Sequence, residues 1–113
     1  MKKVSIIIPA FNNSELTIKC LIQSVPSEVP GIAFLSGGQT DIEATKNLDA
    51  INKQNKSDFI MTYSYGRALQ QSALKYWSKN LDDTKGTQNV FNHRANMCSL
   101  AAKGEWSEQI EKK

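Results

Sequence analysis

Cysteine and histidine are scarce in this chain. Its two cysteines, Cys20 and Cys98, stand far apart and neither belongs to a C-x-x-C pair. Metal-ligand spacing is therefore missing, and the expectation is two reduced thiols in a cytoplasmic protein with no metal or other cofactor. The lone histidine, His93, has no acidic or cysteine residue close by on its own stretch, so packing or solvent exposure is expected of it rather than ligand or base chemistry. No apolar run reaches the length of a membrane span. Met1-Lys2-Lys3 ahead of Val4 to Pro9 faintly resembles a signal peptide. The apolar core is too short for one, and no small-residue cleavage site follows. An excess of one charge is also missing: 14 Lys and Arg stand against 11 Asp and Glu, a net +3, with the signs interspersed. That leaves no basic stripe for nucleic acid. Lys112-Lys113 reads as a solvated end.

What is present is an alternation of short β-branched runs and helical spacings. With 113 residues, 40% of them hydrophobic, the chain is one small domain or a piece of a larger one. Val4 to Ile8 reads as a buried strand ended by Pro9. Ser14 is a good N-cap, and Ile18, Leu21, Ile22 and Val25 mark one helix face over 15–24. Pro26, Pro30 and Gly31 break that helix. Ile32 to Leu35 is a second buried strand, followed by Ser36-Gly37-Gly38 and a capping box, Thr40 with Glu43, that opens a helix to about Lys53. Ala44, Leu48 and Ile51 are its inward positions.

Phe59 to Tyr63 is the third strand. A helix after Arg67 runs to about Trp77, with Leu69, Ala73 and Tyr76 inward. Ser78 to Gly86 reads as a polar loop, and Asp82-Asp83 as solvated. A last helix over 88–103 puts Phe91, Ala95, Cys98 and Ala102 on one side, with Gly104 as its C′ residue. Trp77, Tyr76 and Trp106 are expected to anchor helices, and Glu108 to Lys113 to be solvated.

Strands alternating with helices predict a three-stranded parallel sheet with right-handed crossovers. In such sheets ligands sit beyond the carboxyl ends of the strands. Ser36 and Arg67 both follow a strand, one βα unit apart. Two readings stay open for the glycine turn. A helix N-terminus next to glycines can cradle a phosphate, and the same residues can simply turn the chain. Asp41 and Glu43 are explained by capping without catalysis.

Val29 to Gln39, Asn47 to Asn52, Tyr63 to Gln70, Ser72 to Trp77, His93 to Met97 and Ser99 to Trp106 resemble class I fructose-bisphosphate aldolase. The likeness runs from about Leu16 to about Trp106, carried above all by L-S-G-G-Q and S-Y-G-R. It implies a partial (β/α)₈ barrel over 14–113: the last two βα units, the terminal helix, and 16–25 as the helix before them. The family is a glycolytic lyase that cleaves fructose 1,6-bisphosphate through a Schiff base. The resemblance further implies a phosphate subsite at these two loops, with Ser36 and Gly37 as donors, Ser64 beside them, Gly66 giving a backbone N–H, and Arg67 pairing with the charge.

The family's Schiff-base lysine belongs on the strand before this segment. Ile6-Ile7-Ile8-Pro9 stands there instead, so no catalytic residue is assigned and the chain alone is expected to be inactive. Residues 1–13 instead resemble the first strand of family 2 glycosyltransferases, whose metal-holding D-x-D motif is absent. Two alternatives stand beside the aldolase-like fragment. One is a non-catalytic module pairing through its open sheet edge, with itself or a longer aldolase chain. The other is a truncated glycosyltransferase-like protein. Three strands cannot close a barrel, so exposed sheet edges and an exposed barrel interior are expected, along with self-association through those edges. The expected ligand is a sugar phosphate or a phosphate anion, with no nucleic acid and no membrane.

Overall fold

The computed structural model of the protein describes residues 13–113, and the expected first strand at 4–8 lies outside them. The chain runs α1 (Ser14–Ser24), β1 (Gly31–Phe34), α2 (Asp41–Gln54), β2 (Ile60–Tyr63), α3 (Arg67–Lys79), α4 (Thr84–Ala102) and α5 (Glu108–Glu111). Among the described residues the sheet has two strands, parallel and adjacent, with Gly31 opposite Ile60 and Phe34 opposite Tyr63.

Local chemistry sets most element ends. Asn13, not Ser14, caps α1, its Oδ1 accepting from Leu16 N at 3.0 Å. Thr40 and Glu43 close the capping box of α2. Asp83 caps α4 by accepting from Gly86 N at 2.8 Å, so that helix starts inside the stretch expected to be a polar loop. Gly104 ends it in the left-handed region, φ +70.

Because successive strand residues point to opposite faces, Ile32 and Phe34 of β1 and Met61 of β2 turn together toward the helices. They meet Leu48 and Ile51 of α2, Met97 and Ala101 of α4, Trp106, and Ile18, Leu21 and Val25 from α1. Gln54, at the end of α2, donates to Ser14 Oγ at 2.7 Å. Val25 lines a cleft with Phe59 and Ile60 at the start of β2. These contacts tie α1 to the end of α2 and the start of β2.

Two apolar faces are rotated from expectation. On α3 the buried residues are Ala68 and Ala73, with Leu69 and Tyr76 half-buried and Trp77 49% exposed. On α4 they are Arg94, Met97, Cys98 and Ala101, while Phe91 is exposed. A buried charge is responsible on α4. Arg94, 3% exposed, pairs with both carboxylate oxygens of Glu111 and donates to Thr45 Oγ1 at 3.0 Å. Glu111 also accepts from Trp106 Nε1 at 2.8 Å and lies 3.3 Å from His93 Nε2. The tail expected to be solvated is thus partly enclosed, with Ile110 against the core, and His93 has an acidic neighbour after all. Trp106 anchors as expected, its backbone N–H donating to Asp49 Oδ1 at 3.0 Å.

Burial pushes the Glu111 carboxyl up, but the hydrogen bonds from Arg94 and Trp106 outweigh it and hold the group below the usual glutamate value. A carboxylate depressed on folding stabilises the fold above its unfolded pKa, and that stability is lost as pH falls through the folded value. Urea unfolding should therefore show stability declining below the ordinary glutamate value of 4.5, with a shallower decline in Glu111→Gln. Glu111→Ala should cost about 3 kcal/mol, because it strands a buried guanidinium. Replacing both partners, Arg94→Met with Glu111→Leu, should cost less than Glu111→Ala; a double variant that is weaker than the single one would contradict the ion-pair account.

Candidate functional site

The parallel pairing brings two strand-to-helix corners side by side at one end of the sheet. Ser64 N donates to Phe34 O at 2.8 Å, one step past the last register pair. Ser36 and Gly37 follow β1 directly; Ser64, Gly66 and Arg67 follow β2. All five sequence-nominated residues thus lie at the carboxyl ends of adjacent strands.

The first corner is a tight turn. Gln39 N donates to Ser36 O at 2.9 Å, and Gln39 Nε2 reaches the same oxygen at 2.9 Å. Asn47 of α2 holds the Gln39 side chain in turn. Gly37 and Gly38 have φ +48 and +84, the signs of a type I′ turn, which strongly favours glycine. A Cβ at either would meet nothing within 4 Å. Backbone conformation, not crowding, calls for glycine here, and the space above the turn is open.

The second corner is held from behind. Tyr65 Oη donates to Ala44 O of α2 at 2.9 Å, and its ring lies 5.2 Å from that of Tyr63. Burial, with the nearby Cys98 thiol and Tyr63, pushes the Tyr65 phenol well above its ordinary range, so it stays a neutral donor. Cys98 itself is buried, and burial pushes its thiol up, which makes it inert. Cys20 is free and exposed.

The two helix starts differ in what they can offer. In α2 the cap is filled from within: Glu43 N donates to Thr40 Oγ1 at 3.2 Å, Thr40 N to Glu43 Oε2 at 2.9 Å, and Ile42 N to Asp41 Oδ1 at 2.8 Å. Two carboxylates occupy the positive end of that helix, so of the two readings left open for the glycine turn, the phosphate cradle is less suited to this helix start. In α3 the N-cap is Gly66, which makes no side-chain cap hydrogen bond. The Gly66 carbonyl accepts from Leu69 and Gln70, both at 3.1 Å. The earlier amides, those of Arg67 and Ala68, are the ones a helix start leaves without an intrahelical acceptor. No acidic residue sits in that first turn, and Arg67, exposed, adds a guanidinium. A cation and the helix dipole converge there, with no side-chain cap in the way.

Sequence reasoning missed that this difference decides which helix start is available. The signal was present: Asp41 and Glu43 in one first turn, none in the other. Neither strand carries a lysine. Among the described residues no group of three or more His, Cys, Asp or Glu side chains could hold a metal ion, and no helix is long and apolar enough to cross a membrane.

Comparison with known proteins agrees with this architecture. A glycolytic family model described as fructose-bisphosphate aldolase class-I matches residues 8–113. A probable fructose-bisphosphate aldolase class 1 from Xylella fastidiosa is 46% identical over 97 residues, covering 82% of this chain and 28% of the relative. Fructose-bisphosphate aldolase 1 of Caenorhabditis elegans is 46% identical over 92 residues, covering 80% and 25%. The cytoplasmic isozyme of Spinacia oleracea is 46% identical over 94 residues, covering 82% and 26%. The solved aldolase of Plasmodium falciparum, crystallised with TRAP and a small-molecule inhibitor, superposes with a TM-score of 0.79 at 36% identity, over 88% of this chain and 29% of its own. The chain thus spans about a quarter of the length of the relatives it matches. With a match over nearly its whole length, the chain belongs to the class I fructose-bisphosphate aldolase family.

Proposed function

We propose that this chain keeps a sugar-phosphate subsite of a class I fructose-bisphosphate aldolase and, by itself, lacks the lyase chemistry. The observation that carries the subsite is the uncapped start of α3 beside Arg67, set next to the glycine turn after β1. A phosphate there would take the Gly66 and Arg67 amides, the guanidinium of Arg67, and donors from Ser36, Gly37 and Ser64. Positive charge and open amides complement a dianion, and charge-assisted bonds of this kind are the strong ones.

The lyase reaction needs an amine placed to attack the ketose carbonyl. Every lysine of the described residues lies off the two strands, on helices, connecting segments or the terminus. The isoleucines at 6–8 supply no amine either. A phosphate bound at the rim therefore finds no nucleophile on the neighbouring strands.

Titrating the chain with inorganic phosphate and with fructose 1,6-bisphosphate, followed by amide NMR, should shift the Gly66 and Arg67 signals saturably. Arg67→Ala should weaken the affinity about tenfold, the worth of one charge-assisted hydrogen bond. Thr40→Ala at the other helix start should leave it within about twofold. Equal affinity in Arg67→Ala and the parent chain counts against the subsite. Borohydride reduction in the presence of dihydroxyacetone phosphate should leave the protein mass unchanged, and a stable adduct on any lysine would overturn the assignment of lost chemistry.

A further inference from the structure

Gln39, the last residue of the L-S-G-G-Q stretch, is half-buried and commits its whole side-chain amide to the turn behind it. Its Nε2 donates to Ser36 O at 2.9 Å, and the Gln39 backbone N–H donates to the same oxygen at 2.9 Å. Its Oε1 accepts from Asn47 Nδ2 of α2. One carbonyl is thus held twice, and one of the two donors is itself held by a helix.

Peptide geometry carries that hold one atom further. The atoms linking Ser36 to Gly37 lie near one plane, and in a trans peptide the carbonyl and the N–H point opposite ways. No cis peptide bond occurs among the described residues. Fixing Ser36 O therefore fixes the Gly37 N–H, which points away from the Gln39 donors. The two glycines cannot supply this constraint themselves. Gly37 and Gly38 are exposed, with open space where a Cβ would stand, and glycine has the widest choice of backbone conformation. A turn built from them presents a backbone donor in one direction only if something outside the glycines holds it.

The brace is common to both corners. Ala44 and Asn47 stand three apart on α2 and so share a face. Asn47 holds Gln39, while Ala44 O accepts from Tyr65 Oη at 2.9 Å. The glycine turn and the corner after β2 are thereby referred to the same turn of one helix.

We propose that Gln39 is a positioning residue for the anion subsite and that Asn47 acts through it, so that the Gly37 N–H is aimed before a phosphate arrives. This role rests on the phosphate reading of the rim. Gln39 Nε2 and Oε1 are both engaged within the turn, so the effect reaches the ligand through the backbone. Donors held in place lose less freedom on binding, and the gain appears as affinity.

The test records amide NMR spectra of the parent chain, Gln39→Met, Asn47→Ala and the double variant, with and without inorganic phosphate. Gln39→Met keeps the side-chain length and loses both side-chain hydrogen bonds. It should weaken phosphate binding about fivefold, the worth of one hydrogen bond, and Asn47→Ala about threefold. The double variant should lose no more than Gln39→Met alone, because Asn47 has no other route to the site. The phosphate-dependent shift of the Gly37 amide should shrink in all three, while those of Gly66 and Arg67 persist. Gln54→Ala, which removes a side-chain amide elsewhere on α2, should leave affinity within about twofold. Hydrogen exchange at the backbone amide of position 39, measured without phosphate, reports the turn by itself and should speed up in Gln39→Met. Urea midpoints establish that the variants fold. Unchanged affinity in Gln39→Met, additive losses in the double variant, or unchanged exchange at position 39 would overturn the positioning role. Faster exchange with no amide of the parent chain responding to phosphate would instead remove the subsite, and the positioning role with it.

Discussion

Everything at the candidate site depends on eight residues pairing in one register. Four in β1 and four in β2 run parallel, extended at each end by Ile60 N donating to Pro30 O and Ser64 N donating to Phe34 O. A slip of one residue would exchange the two faces of a strand. Ile32 and Phe34 would turn outward, and Ala33 would face Leu48 and Met97. The buried set is specific enough to forbid that. The same register determines that the glycine turn and the Arg67 corner stand side by side, so core packing and site geometry have one cause.

The helices add a division of labour. The α2 helix is closed at its start by its own carboxylates and serves as a fixed wall, gripping Tyr65 from one side and Gln39 from the other. The start of α3 is left open and lies on the part so gripped. A rigid support behind unfilled donors is what anion recognition needs, since donors held in place lose little freedom when a ligand arrives. The Arg94–Glu111 pair, with Trp106 and Thr45, holds the last helical turn against α2 and α4.

Much of this was legible in the chain, and the parts that were not share a cause. The apolar face and start of α2 were readable: Ala44, Leu48 and Ile51 follow its period, and Thr40 with Glu43 signals its start within four residues, while the burial of Thr45 and Asp49 was not. Those are local facts. The buried face of α4 was misread by about one position because periodicity treats arginine as solvent-facing, and the partner that makes its burial tolerable is Glu111, 17 residues away. The early start of α4 was masked by polar residues, although Asp83 and Gly86 carry the cap. The attachment of α1 to α2 includes Ser14 meeting Gln54, a contact between residues 40 apart, which no window on the sequence reveals. At the site, the family-specific motifs marked the two corners that the pairing of β1 and β2 places side by side. Electrostatic competition between the two helix starts emerged only once both were seen to face the same rim.

The two tryptophans occupy opposite surroundings. Trp106 is enclosed, with its indole N–H bound to a carboxylate, while Trp77 stands half in water on α3. Their fluorescence is therefore divided by position: one ring emits from a dry interior and the other is open to collisional quenchers. Unfastening of the carboxy-terminal turn and loss of the whole fold thus carry different optical signatures, and light alone can tell a frayed end from an unfolded chain.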